Sequence, residues 1–68
     1  MTNTLELEVA IKRSGLTKRS IANSLGISEV ALYNKISNTS EFKASEIMVL
    51  SDMLKLKDCD RDMIFFAK

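Results

Sequence analysis

Ser28, Glu29, Val30, Tyr33 and Asn34 lie together within residues 28–34. Their side chains match what the major groove of duplex DNA displays. A carboxylate such as Glu29 accepts from the cytosine N4 amine, Val30 packs on a thymine methyl, and the Asn34 amide pairs with adenine N6 and N7. Ser28 suits either a base or a phosphate, and so does Tyr33. Each good base contact is worth about 1–3 kcal/mol of discrimination. The structural alternative stays open for each: Glu29, for one, equally serves as a dipole partner in the first turn of a helix.

A second group suits the DNA backbone, which takes N–H groups, hydroxyls and cations. Thr17, Lys18 and Arg19 stand at one end of the reading segment, and Lys35, Asn38 and Thr39 stand at the other. Within residues 12–38 the basic residues are Lys12, Arg13, Lys18, Arg19 and Lys35, against Glu29 alone, a net of +4. The remainder of the chain nets −3, giving +1 overall. A basic patch on a near-neutral chain points modestly to a polyanion. Lys12 and Arg13 equally fit a solvated helix face.

These side chains need two short helices to hold them. Residues 18–25 and 29–37 read as amphipathic helices, each preceded by a hydroxyl residue, Thr17 or Ser28, that can cap the first turn. Gly26 can adopt the left-handed conformation that closes the first of them. Ile27 then returns to the core. The pattern is a helix-turn-helix, whose second helix lies in the major groove while the first crosses the backbone. Ile21, Ala22 and Leu25 form the buried face of the first helix, and Leu32 with Ile36 that of the second. Ala22 is small where two helices cross closely.

The rest of the chain supplies the scaffold. Helix 1 is expected over residues 4–14, with Asn3 as cap and Leu7, Ala10 and Ile11 inward; Leu5 and Val9 fall on partly covered neighbouring faces. Gly15 ends it. Residues 38–41 form a turn by composition. Phe42 and Ile47 resemble a hydrophobic staple around a helix over about 44–55, whose stripe is Ile47, Leu50 and Leu54 with Ser51 small between them. Met48 and Met53 flank this stripe. Residues 58–67 favour a short fifth helix, capped by Asp58 or Asp60, with a strand as the alternative. Adjacent Phe65 and Phe66 cannot both face inward. With Met63 they are candidates for a dimer or partner interface, or else they seal the base of the core.

The expected architecture is therefore all-α: one domain over residues 1–68, a compact bundle of four to five short helices around a central helix-turn-helix. One cysteine and no histidine leave no disulfide and no zinc finger, and the acidic run at Asp58, Asp60 and Asp62 lacks the glycine and glutamate of an EF-hand. No metal, cofactor or enzymatic activity is expected. Neither a secretory signal nor an apolar run long enough to span a membrane is seen, so a soluble, intracellular protein is expected.

The run Gly-Leu-Thr-Lys-Arg-Ser-Ile-Ala-Asn-Ser-Leu-Gly-Ile-Ser-Glu-Val-Ala-Leu-Tyr-Asn-Lys-Ile-Ser resembles the helix-turn-helix of phage Cro and CI-type repressors. Ala22, Gly26, Ile27, Leu32 and Ile36 occupy its fixed small and apolar positions. The later Ser-Glu-Phe-Lys-Ala-Ser-Glu-Ile and Ile-Phe-Phe-Ala look like short regulators of temperate phages and prophages of Gram-positive bacteria. The resemblance implies a lambda-repressor-like fold and binding to double-stranded operator DNA as a homodimer, in a lysis–lysogeny switch. The alternative it carries is an anti-repressor that docks on a partner phage repressor. Three positions depart from the family: Lys18 and Glu29 stand where it usually has Gln and Gln or Arg, and Lys43 where the subgroup often has a capping Thr.

Overall fold

A computed structural model describes residues 1–66 as five α-helices: α1 Thr4–Ser14, α2 Lys18–Leu25, α3 Glu29–Ile36, α4 Ala44–Met53 and α5 Asp58–Phe65. The described residues contain no strand, so the strand alternative for the C-terminal segment is replaced by a helix; Ala67 lies outside the described residues. The fold is a small all-α bundle, as the apolar spacing requires. α2 packs on both α3 and α4, and α1 packs on α5.

The helix starts follow from their caps. Asn3 Oδ1 accepts from Glu6 N–H, Thr17 Oγ1 from Ser20 N–H, and Ser28 Oγ from Ala31 N–H, at 3.1–3.2 Å. Each satisfies one orphan donor of a first turn, worth typically about 1 kcal/mol. α4 starts differently. Its cap residue, Lys43, has no acceptor on its side chain, so only half of a capping box forms: Glu46 Oε1 accepts Lys43 N–H at 2.8 Å. α5 has Lys57 at its cap with no side-chain bond, which corrects the assignment of Asp58 or Asp60 to that place. Asp58 instead lies 3.6 Å from Arg61 one turn on.

Three helices end in the same way. At Gly26 (φ 70°), Asn38 (φ 67°) and Lys55 (φ 54°) the backbone turns left-handed. In each case the next N–H reaches back five residues: Ile27 to Ala22 C=O, Thr39 to Asn34 C=O, Leu56 to Ser51 C=O. These are Schellman closures, which satisfy the last carbonyls of a helix. α4 therefore ends at Met53, short of the expected Lys55, because Lys55 itself makes the turn.

The core gathers Leu7 and Ile11 from α1, Ile21 and Ala22 from α2, Leu32 and Ile36 from α3, Ile47, Leu50 and Leu54 from α4 and its end, and Ile64 and Phe65 from α5. Leu7, Ile21, Leu32 and Leu50 are fully buried, each contributing about 1.5–3 kcal/mol by leaving water. Phe42 packs against this cluster, its ring edge-on to Phe65 with centroids 5.4 Å apart. Leu5, expected to be partly covered, is 73% exposed, because nothing packs over that side of α1.

Lys55 is not glycine, so its left-handed turn carries a steric cost of about 1–2 kcal/mol. Lys55→Gly is expected to raise unfolding stability by about 1 kcal/mol, read as a higher urea midpoint at unchanged slope.

Candidate nucleic-acid interface

α3 carries two faces. Leu32 and Ile36 point inward, while Val30, Tyr33, Asn34 and Ser37, spaced i, i+3, i+4 and i+7, make an outward stripe. Val30 is 71% and Tyr33 64% exposed. Glu29 and Ser28 stand exposed at the start of the helix. Asn34 is half-buried, and its backbone carbonyl accepts from Thr39 N–H and Ser40 N–H. The structure thus brings the five expected base-reading residues onto one end and one face of α3.

The expected phosphate group divides. Thr17, Lys18 and Arg19 lie together at the start of α2. Thr17 Oγ1 is engaged as the cap, and its carbonyl accepts from Ser20 Oγ at 2.9 Å. Lys18 Nζ sits 3.0 Å from Glu8 of α1 in a pair that is about two-fifths exposed. Exposed pairs of this kind are worth about 1 kcal/mol or less, so Lys18 can leave Glu8 for a phosphate at little cost. Arg19 is exposed and has no ion partner among the described residues. The first amides of α2 and α3 add donors beside these side chains. Lys18 and Arg19 N–H, and Glu29 and Val30 N–H, precede the first in-helix acceptors, as at any helix start.

At the other end the expectation is corrected. Lys35 is not offered to solvent. Its Nζ lies 2.9 Å from Glu46 Oε1 and 3.2 Å from Glu41 C=O, and the Lys35 and Glu46 side chains are 11% and 9% exposed. Burying one charge without the other is costly, so the pair holds together and Lys35 is withdrawn from the surface. Asn38 is also committed. Its side-chain carbonyl accepts Thr2 N–H at 2.9 Å, and its amide donates to Thr2 C=O at 2.9 Å. Thr39 Oγ1 lies 3.2 Å from Ser37 Oγ on the exposed turn. The spacing of Lys35 on α3 gave no signal for this, because its partner is eleven residues away across a turn.

Burial raises the Glu46 carboxyl, but the Lys35 hydrogen bond, the Lys43 N–H and the charges of both lysines outweigh it. The net effect holds it below the usual 4.5.

The proposed interface residues of α5 do not share one surface. Phe65 is 4% exposed and belongs to the core, which corrects its assignment as an interface residue. It packs inward because α5 places Ile64 and Phe65 on the face toward the bundle. Met63 (48% exposed) lines a groove beside α1, whereas Phe66 (57% exposed) lines another beside Phe42 and Met1.

No helix among the described residues is long and apolar enough to cross a membrane, and no group of three or more His, Cys, Asp or Glu is placed to hold a metal ion. Comparison with protein-family models, curated proteins and solved structures gives no match.

The ion pair sets a testable stability pattern. Lys35→Ala strands a buried carboxylate and is expected to cost about 3 kcal/mol in urea unfolding. Because the folded pKa of Glu46 is depressed, its contribution is fully present above about pH 5 and is lost as pH falls below 4.5. The stability gap between wild type and Glu46→Gln should accordingly narrow as pH drops through that range. A gap that stays constant down to pH ~3 would remove the pair from the acid response.

Proposed function

We propose that the chain is a small Cro-like transcription regulator that binds double-stranded operator DNA by laying α3 in the major groove. Its setting on this reading is a phage or prophage lysis–lysogeny switch. The observation that carries it is the outward stripe of α3. Val30, Tyr33 and Asn34, with Ser28 and Glu29 at the helix start, stand clear of the core on a helix fixed by a cap at one end and a left-handed closure at the other. The resemblance of residues 15–37 to phage repressor helix-turn-helices supports the same reading.

In this arrangement base readout falls to Glu29, Val30, Tyr33 and Asn34, with Ser28 beside them. Glu29 favours a cytosine amine and disfavours positions that leave it facing acceptors. Positioning falls to Thr17, Lys18 and Arg19 with the first amides of α2, and to Thr39 on the turn after α3. Lys35, drawn in against Glu46, and Asn38, exposed but bonded to Thr2 through its side chain, hold α3 in place rather than touching phosphate. With so few cations one copy binds weakly. Two copies, reading successive major grooves about 34 Å apart, supply the affinity an operator needs.

A second reading has its own observation. Glu29 stands exposed at the tip of α3, Lys35 is neutralised by Glu46, and Lys18 is shared with Glu8. That thins the positive surface and favours a protein surface as the partner of α3. On this reading the chain is an anti-repressor that docks on a phage repressor. Co-elution with the repressor encoded beside it, in the absence of DNA, distinguishes the two.

Fluorescence titration of labelled duplexes at low salt tests the first reading. A promoter segment from the same phage is expected to bind at least tenfold tighter than random duplex. Arg19→Ala should weaken both and reduce the salt slope by about 1, whereas Val30→Ala should change preference at one base pair by roughly 1 kcal/mol. Equal binding to both duplexes sinks the proposal.

A further inference from the structure

Lys18 opens α2, but its ammonium is folded back onto α1. Nζ lies 3.0 Å from Glu8 Oε1 and 3.1 Å from Oε2, so both carboxylate oxygens face it. A DNA phosphate offers a lysine the same thing: two anionic oxygens at hydrogen-bond distance. The contact is partly open to solvent from both sides. A second cation stands beside it. Lys12 lines the same shallow groove as Glu8 and Lys18, is exposed, and has no ion-pair partner among the described residues. It follows Glu8 by four residues on α1, the spacing and order in which an acid and a base pair best on a helix. Glu8 therefore has two cations to choose between, one a turn further along its own helix and one at the start of α2, and it sits on the second.

We propose that Glu8 is a tethered competitor for phosphate at the start of α2, and that Lys12 takes over its carboxylate when DNA draws Lys18 away. The proposal rests on the DNA-reading role above and adds a regulating contact to it. A phosphate arriving at Thr17, Lys18 and Arg19 meets an ammonium already satisfied by two oxygens and has to displace them. A partly exposed pair of this kind resists by about fivefold at most, so the displacement proceeds at a modest loss of affinity. The exchange balances charge: the Glu8–Lys18 pair breaks, Lys18 pairs with phosphate, and Glu8 pairs with Lys12 instead of facing the DNA alone. Phosphate carries no sequence information, so the competition lowers affinity for every duplex alike. The Lys35–Glu46 pair is too buried to exchange in this way, which leaves Glu8 as the carboxylate that regulates a cation of the surface.

Fluorescence titration with a labelled random-sequence duplex at about 0.1 M salt, where exposed charges more than about 10 Å apart are largely screened, tests the competition. Glu8→Gln is expected to tighten binding about two- to fivefold. Glu6→Gln removes the same charge from the same helix without breaking an ion pair, and should change binding by less than roughly 1.5-fold. The gain from Glu8→Gln should vanish in a Lys18→Gln background, where the carboxylate has no ammonium to withhold. Lys12→Gln should weaken binding by up to about twofold, and not at all once residue 8 is already Gln. A Glu8→Gln protein that binds as wild type does, or more weakly, makes the pair a tie between α1 and α2 and overturns the proposal. So does a gain matched by Glu6→Gln, a gain that survives Lys18→Gln, or a Lys12→Gln loss that persists without Glu8. In each of these cases wild type still binds duplex and the DNA-reading role stands, whereas a chain that binds no duplex in any variant overturns both.

Discussion

The fold depends on how a short helix with one inward face is held still. α3 has eight residues and keeps Val30, Tyr33 and Asn34 outward, so only Leu32 and Ile36 anchor it by burial. Two apolar anchors fix position well and rotation poorly. The Lys35–Glu46 pair supplies the rotation. Glu46 Oε1 accepts from Lys35 Nζ at 2.9 Å and from Lys43 N–H at 2.8 Å, and Lys35 Nζ also donates to Glu41 C=O. One carboxylate oxygen therefore joins the end of α3 to the start of α4, and the same Lys35 ammonium also holds the intervening turn at Glu41. A hydrophobic pair of similar size accepts many rotations, whereas this arrangement of donors around one oxygen accepts few. The desolvation cost of a buried pair limits its net stabilisation, so its contribution here is chiefly to register.

The N-terminal segment closes the other side. Thr2 is clasped by the Asn38 side chain through both its N–H and its C=O, Thr4 Oγ1 donates to Ile36 C=O, and Asn3 N–H donates to Ile64 C=O at 2.6 Å. Three residues, Thr2, Asn3 and Thr4, thus tie the end of α3 to the end of α5. The carbonyls that end α3 are consumed by this clasp and by the turn: Ile36 by Thr4, Lys35 by Asn38 N–H, Asn34 by Thr39 and Ser40. The N-terminal end of α3 keeps its first amides and its partial positive charge toward solvent. The helix is closed by protein at its negative end and open at its positive end, the polarity that suits a polyanion.

What was legible in the sequence was what local chemistry dictates. Asn3, Thr17 and Ser28 mark helix starts because a side-chain oxygen there accepts from the first turn, and Gly15 and Gly26 mark ends because they take positive φ freely. Alternation of apolar and polar residues placed the core of α2 and α3. Three features were not legible. Lys55 closes α4 in a conformation that its residue type does not advertise. Asn38 reads as a turn residue, yet its amide is spent on Thr2, thirty-six positions away. Lys35 reads as a surface cation, and only the packing of α4 against the helix-turn-helix brings Glu46 to it. The α5 residues failed for a related reason: Met63, Phe65 and Phe66 are close in sequence, but helical phase sends them to a groove, the core and a different groove.

These corrections shift the electrostatics of the exposed α2–α3 surface. Charge counted along residues 12–38 gives five cations, but Lys35 is cancelled in place and Lys18 is paired with Glu8 in a partly exposed contact. What remains at the start of α2 is Arg19, a releasable Lys18 and backbone amides. Amides carry partial charge and fixed direction, so they orient a phosphate well while adding little long-range attraction. On the proposed DNA-reading role, a surface built this way discriminates by fit more than by charge, and its affinity has to come from a second copy rather than from more lysines on the first. Lys35, which could have enlarged the positive patch, is instead spent on holding α3 to α4, and on the proposed role that fixed orientation is what lets an outward stripe with few cations meet a groove.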